Sequence, residues 1–202
     1  MVGEGRSAAL LVDEAHAVGV VGPGGAGLCA ETECRADVIV FTASKALGAQ
    51  GGVVAGPAIV REALANFARP FLYTTGTAPP LAAAVATAAG LVREAEERRR
   101  SLRAVAQRLR AGLVERGWRL PGGGEVATPI LPLLVEAEER ALALSARLAQ
   151  AGFAAPAIRP PTVAPGAARV RLSLHSGVSE QDVQRLVETV GEASSWRSSS
   201  RA

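Results

Sequence analysis

Lysine is almost missing from this chain: of its twenty-two basic residues only Lys45 is a lysine, and the rest are arginine. Aromatic residues are scarce at 3%, and there are two cysteines and two histidines. Long apolar runs are also lacking. The longest charge-free stretch, Pro70 to Val92, is interrupted in its first half by Tyr73, Thr74, Thr75, Gly76, Thr77 and the pair Pro79-Pro80. What remains, Leu81 to Val92, falls short of the ~20 residues a bilayer-spanning helix needs, which excludes a membrane helix. The first seven residues carry Glu4 and Arg6 and no apolar segment, so they do not read as a secretory signal, and a cytoplasmic location is expected. Cys29 and Cys34 stand alone, with no second pair and no nearby histidine. That argues against a zinc knuckle and a disulfide scaffold and leaves two reduced structural thiols. With few aromatics for base stacking, a net charge of +3 and arginines scattered along the whole length, nucleic acid is not expected as a partner.

What is present is the composition of a cored globular protein. The chain has 202 residues, 49% apolar and 20% charged, near the soluble average and far from that of a disordered chain.

The solitary lysine is informative. A chain that uses arginine wherever it needs a positive charge keeps a lysine where arginine fails, and arginine cannot give up its proton to act as nucleophile or base. Lys45 follows Asp37-Val38-Ile39-Val40-Phe41-Thr42, a β-branched run typical of a buried parallel strand. It precedes Ala46 to Val60, uncharged and rich in glycine. The amine is therefore expected at a strand end in desolvated surroundings, where burial would lower its pKa. Open α/β sheets bind ligands at the carboxyl ends of their strands.

Upstream, Ala8 to Val12 reads as a second buried strand, ending in Asp13-Glu14-Ala15-His16 and followed by the glycine-rich loop Gly19 to Gly27. Two parallel strands would thus deliver Asp13, His16, Thr42 and Lys45 to one edge. One reading is a nucleotide hydrolase, since certain helicases use an Asp-Glu-Ala-His run to hold magnesium. That chemistry needs a phosphate loop ending in Gly-Lys-Ser/Thr, whereas Lys45 lies between Ser44 and Ala46. The other reading is a pyridoxal phosphate site, in which a lysine forms the Schiff base and an acid faces the pyridinium nitrogen.

Taken together, Asp13-Glu14-Ala15-His16 and Thr42-Ala43-Ser44-Lys45 resemble the alpha-oxoamine synthases, a family of fold type I pyridoxal phosphate enzymes. Pro70-Phe71-Leu72-Tyr73-Thr74-Thr75 followed by Pro79-Pro80 is similar to the family segment that reaches the cofactor phosphate of the other subunit of a dimer. Ala157-Ile158-Arg159-Pro160-Pro161-Thr162-Val163, with Ala168-Arg169-Val170-Arg171-Leu172-Ser173-Leu174, resembles the biotin-pathway branch most. The likeness runs from Val12 to about Val190.

The resemblance implies pyridoxal 5'-phosphate as cofactor. Lys45 would hold it and then take the α-proton of L-alanine, Asp13 would pair with the ring nitrogen, His16 with the 3-hydroxyl, and Thr42 with the phosphate. Tyr73, Thr74 and Thr75 would lie at the boundary of a homodimer, with Thr74 or Thr75 offering a hydroxyl to the neighbouring phosphate. Arg159 would grip the amino acid's carboxylate with its planar fork. The acyl donor implied is a pimeloyl thioester on acyl carrier protein or coenzyme A, condensed with loss of carbon dioxide. Other branches use glycine with acetyl or succinyl thioesters.

The expected fold class is α/β: part of a fold type I large domain, a mostly parallel sheet with flanking helices, followed by a small C-terminal α/β domain. Residues 1–117 form the large-domain portion, 118–193 the small domain, and 194–202, rich in Ser and Arg, a disordered tail. Pro57 to Ala68 reads as a helix, and Pro80 opens a long alanine-rich helix reaching about Arg116. The mixed charges from Arg93 to Arg100 read as a solvated helix face. Gly117 and Pro121-Gly122-Gly123-Gly124 mark a boundary. Beyond it the pattern predicts a strand over 130–135, a helix over 138–151, a strand over 169–174 and a helix over 179–192. Ser179 and Asp182 stand at N-cap and N3 spacing. Family members are nearly twice this length, and their N-terminal half supplies a group stacked on the cofactor ring, a phosphate turn and further strands. Activity is therefore expected to need such a half, the alternative being a non-catalytic remnant, and a chain without it would be poorly soluble or need a partner.

Overall fold

Short β-branched runs form strands here only until turn chemistry interrupts them. The computed structural model describes residues 8–121 and 128–196. The first seven residues, the Gly122 to Gly124 boundary and residues 197–202 lie outside that description. The chain divides into two compact units, Met1–Arg99 and Arg100–Ala202.

In the first unit β1 (Leu11–Asp13) and β2 (Val38–Thr42) run parallel, with Leu11 opposite Val38 and Asp13 opposite Val40. Asp37 sets this register: its carboxylate accepts from the Leu10 amide at 2.7 Å, and the amides of Asp37 and Val38 both donate to the Leu10 carbonyl. β3 (Gly52–Ala55) pairs antiparallel with β2, placing Gly52 opposite Thr42 and giving the order β1-β2-β3. Its glycines hid this strand from periodicity. The expectation of buried strands is corrected: β2 is half-exposed along its length, and β1 alternates exposed, half-buried, exposed. On a three-stranded sheet, these central residues are only partly covered among the described residues.

Helices α1 (Leu28–Glu31), α2 (Ala58–Phe67) and α3 (Arg69–Leu72) follow in chain order, α1 lying between β1 and β2. Pro57 is the N-cap of α2 rather than its first residue, so the helix starts one residue later than expected. The single long helix expected from Pro80 is two helices, α4 (Pro79–Glu94) and α5 (Glu96–Glu115). At Ala95 the backbone turns (φ −83°, ψ 36°), and its amide donates to Val92. Arg99 accounts for the break. It is 3% exposed, and its guanidinium donates to the Val92 carbonyl at 2.5 Å, to the Arg93 carbonyl at 3.4 Å and to Glu96 at 2.9 Å. Carbonyls orphaned at the helix end gain a buried charged donor. Arg99 is thus a correction to the reading of the Arg93–Arg100 run as a solvated face.

The second unit is built on β4 (Ile130–Glu136), β5 (Ala157–Ile158) and β6 (Ala168–Ser173), antiparallel in the order β4-β6-β5. Period-two alternation sends Leu131, Leu133 and Val135 inward, where Val170 and Leu172 of β6 join them. α6 (Glu138–Gln150) adds Ala141, Leu144 and Leu148 at helical spacing, and α7 (Glu180–Val190) adds Val183, Leu186, Val187 and Val190. The Ser179–Asp182 capping box forms: the Asp182 amide donates to Ser179 Oγ at 3.1 Å, and the Ser179 amide and hydroxyl both donate to the Asp182 carboxylate. These donors hold Asp182 below the usual carboxylate range. Trp118 donates through Nε1 to the Gly191 carbonyl at 2.9 Å, and Trp196 to the Val190 carbonyl at 2.8 Å. The expected disordered tail is therefore corrected over 194–196: Ser194 and Ser195 lie in a 3-10 turn, and Trp196 packs on the core because its indole covers the end of α7. No helix among the described residues is long and apolar enough to cross a membrane.

Candidate active site

The parallel pairing of β1 and β2 puts Asp13 and Thr42 at the carboxyl ends of adjacent strands, with His16 and Lys45 in the turns that follow. These four residues from the sequence reading thus share one sheet edge. The pairing continues one step past Asp13, where the Glu14 amide donates to the Val40 carbonyl at 2.7 Å. The Glu14 carbonyl then accepts from Ala17 and Val18, closing the turn that carries His16. Asp13 Oδ1 accepts from the Ala15 amide at 2.8 Å, which holds the carboxylate over that turn.

Lys45 stands in the turn between β2 and β3. Buried Ala43 and Leu47 anchor it, with the Ala43 amide donating to Gly51 at 2.9 Å and the Ala49 amide to Ala43 at 2.8 Å. The Lys45 carbonyl accepts from Gly48, which adopts φ +61° in open space. Lys45 itself is exposed, so the desolvated setting expected from sequence is not what this chain provides; only its anchors are buried. The Thr42 hydroxyl lies 2.8 Å from that of Ser44 and 3.2 Å from the Gly51 carbonyl, and it accepts from the Ser44 amide at 3.2 Å. Ser44, passed over in the sequence reading, therefore stands beside Thr42 as a second hydroxyl.

A further residue was missed altogether. Side chains alternate along a strand, so the residue after Asp13 points to the other face, and Glu14 is 1% exposed. Its Oε2 accepts from the Leu28 amide at 2.7 Å and its Oε1 from the Cys29 amide at 2.6 Å, at the start of α1. Burial pushes this carboxyl up, but the amides of Cys29 and Leu28 and the Cys29 thiol outweigh it and leave Glu14 below the usual carboxylate range. The hydrogen bond to Glu14, then burial, then the charge of Glu14 and the neighbouring Cys34 push the Cys29 thiol up to about 11. Both cysteines are free, Cys29 buried and Cys34 exposed. The signal available in the sequence was an acid following Asp13 at a strand end, which must find donors inside.

Tyr73, Thr74 and Thr75 follow α3 and are exposed, with the Arg69 guanidinium 6.0 Å from the Tyr73 ring centre. Arg159 belongs to the second unit, directly after β5, where its Nη1 lies 3.6 Å from Glu138 Oε2 on a half-exposed surface.

Residues 4–190 match the aminotransferase class I and II family. Over 193 residues the chain is 43% identical to 8-amino-7-oxononanoate synthase of Halorhodospira halophila, covering 94% of this chain and 48% of that protein. Among solved structures, serine palmitoyltransferase from S. paucimobilis with a bound PLP-myriocin aldimine superimposes with a TM-score of 0.82 at 30% identity, over 91% of this chain and 46% of that one. 8-Amino-7-oxononanoate synthase from Francisella tularensis gives 0.78 at 26% identity, over 90% and 53%. The chain spans about half the length of the curated relatives it matches, and its α/β arrangement is a partial fold of the fold type I kind. By this match over nearly its whole length, the chain belongs to the aminotransferase class I and II family.

Proposed function

We propose that this chain is the lysine-bearing part of an alpha-oxoamine synthase that condenses L-alanine with a pimeloyl thioester to 8-amino-7-oxononanoate, releasing carbon dioxide and the acyl carrier or coenzyme A. One observation carries the reading: an aspartate ends one of two adjacent parallel strands and the only lysine stands in the turn after the other, in a chain 43% identical to such a synthase.

The residues present fit pyridoxal 5'-phosphate by their chemistry. Lys45 is an exposed primary amine suited to the cofactor's aldehyde, Asp13 a carboxylate for its ring nitrogen, His16 a partner for its 3-hydroxyl, and Thr42 a hydroxyl for its phosphate. When bound, the cofactor supplies an electron sink for the charge left at the substrate's α-carbon. The remaining work belongs to side chains. Lys45 would hold the cofactor and, as a free amine, would take the alanine α-proton as a general base. Asp13 would pair with the ring nitrogen and keep it protonated, so Asp13→Ala is expected to remove the charge that makes the ring an acceptor. Arg159 holds the alanine carboxylate with two parallel N–H donors. Its pairing with Glu138 at 3.6 Å is loose and exposed, hence readily exchanged.

The reading includes a cytoplasmic homodimer with Tyr73, Thr74 and Thr75 at the boundary, Thr74 or Thr75 reaching the neighbouring phosphate. The exposure of Phe67 at 80% and Tyr73 at 82% supports a covered surface there. A second reading, a relative acting on another amino acid and acyl thioester, is favoured by the higher TM-score to serine palmitoyltransferase, 0.82 against 0.78.

Borohydride reduction of the protein with pyridoxal 5'-phosphate, followed by peptide mapping, is expected to place a pyridoxyl group on Lys45 and none in Lys45→Ala. An adduct elsewhere, or nowhere, sinks the reading. Assay of alanine, glycine and serine against pimeloyl, acetyl and palmitoyl thioesters then separates the two readings.

A further inference from the structure

Two charged side chains are buried among the described residues, Glu14 and Arg99, and both stand against the same loop, Glu14 bonded to it and Arg99 packed beside it. From one side Glu14 receives the amides of Leu28 and Cys29, just past Gly27. A Cβ on Gly27, at φ +104°, would stand 2.6 Å from Glu14 Oε2. From the other side a Cβ on Gly25, at φ +73°, would meet Arg99 Nη1 at 2.9 Å. Between these two contacts the loop folds on itself, with Gly19 donating to Gly25 and Gly27 to Val21. The loop also reaches the lysine turn, for a Cβ on Gly19 would meet that of Ala46 at 2.6 Å.

Glu14 is also the backbone pivot of the site. Its amide extends the β1–β2 pairing beyond Asp13, and its carbonyl closes the turn bearing His16. One residue therefore joins the Asp13 strand end, the His16 turn and the loop that abuts the residue after Lys45. A buried ionised carboxylate is tolerated only when fully hydrogen-bonded, so its geometry is tightly determined by the donors it requires.

We propose that Glu14 is a positioning residue: by fastening the glycine loop beneath the strand edge it fixes where Asp13 and His16 stand, and through Gly19 and Ala46 it supports Lys45. The proposal rests on the reading above for what Asp13, His16 and Lys45 hold, but not for the placement itself.

The chain's two histidines make the test selective, since His16 lies beside Glu14 while His175 belongs to the other unit. In histidine-labelled protein, Glu14→Gln keeps the shape but presents a donor to a backbone amide. It is expected to move the His16 imidazole resonance and leave that of His175 in place. Gly27→Ala, which presses on the same contact from the opposite side, should move His16 likewise, and Gly90→Ala, in open space, should not. The same Gln variant should weaken pyridoxal 5'-phosphate binding about tenfold or more, as removal of residues that orient ligand-bearing side chains does. An unmoved His16 overturns the proposal. So does a His16 resonance at its random-coil position, which would make Glu14 a general stabiliser rather than a positioning residue. If wild-type protein fails to bind pyridoxal 5'-phosphate while His16 still responds to Glu14→Gln, the positioning role stands and the functional reading falls.

Discussion

In the second unit, nineteen buried apolar residues from Val105 to Ala193 form one cluster, closed by α5, α6 and α7 over a three-stranded sheet. In the first, the buried apolar residues among those described are Cys29, Ala43 and Leu47, while eleven described large apolar side chains from Leu10 to Leu91 lie exposed against two in the second. The two halves of one chain thus keep their shape by different means. The second relies on burial, worth ~25 cal/mol per Å² removed from water. The first holds its proposed catalytic edge by strand pairing, a loop whose Gly19, Gly22 and Gly27 leave no room for a side chain, and a buried Glu14 that bonds the loop's end. Elements with little buried apolar surface open locally at low cost, so the half with the reactive groups is expected to be the softer one.

That contrast can be broken by four measurements. The largest effect is expected from Trp118→Ala, since Trp118 is 2% exposed and emptying such a site costs ~3–5 kcal/mol; denaturant titration of the second unit should show it, and a loss below 1 kcal/mol would deny that unit its single core. Next is Cys29. Moving its thiol from 9.0 to about 11 leaves about a hundredfold less thiolate at neutral pH than an ordinary cysteine has. Alkylation below pH 9 should therefore mark Cys34 and spare Cys29 until the first unit opens, and equal labelling of both would remove the Glu14–Cys29 contact. Third, Ser179→Ala removes an N-cap worth ~1 kcal/mol. Asp182 is held below its ordinary value of 3.8 by the same cap, so its contribution is present above that pH and lost as pH falls further; the gap between variant and wild type should narrow in acid. The smallest change belongs to Phe67→Ala, at 80% exposure in the single chain, which should alter the stability of monomeric protein by under ~0.5 kcal/mol. A larger loss would mean that the face is already covered in solution.

The placement of Asp13 and Thr42 at strand ends, and of Lys45 just beyond, was legible because apolar runs and the polar residues that end them are local signals. The α7 cap was legible for the same reason, as was the strand over 130–135. What escaped depends on distant partners. The break at Ala95 lies in a sequence that favours helix throughout, and it exists because Arg99 reaches back to Val92 and Arg93. β3 escaped because glycine carries no period. Glu14 was read past as part of a run, since its donors sit fourteen and fifteen residues away. The desolvation expected around Lys45 failed on the same ground: coverage of a side chain is a tertiary property that a strand's composition does not disclose.

The tryptophans carry a last consequence. Both indoles of the chain donate to carbonyls at the end of α7, so both chromophores report on one unit. Intrinsic emission follows the closing of that core alone, and the half bearing Lys45 would melt in the dark, visible only through Tyr73, His16 or an added label.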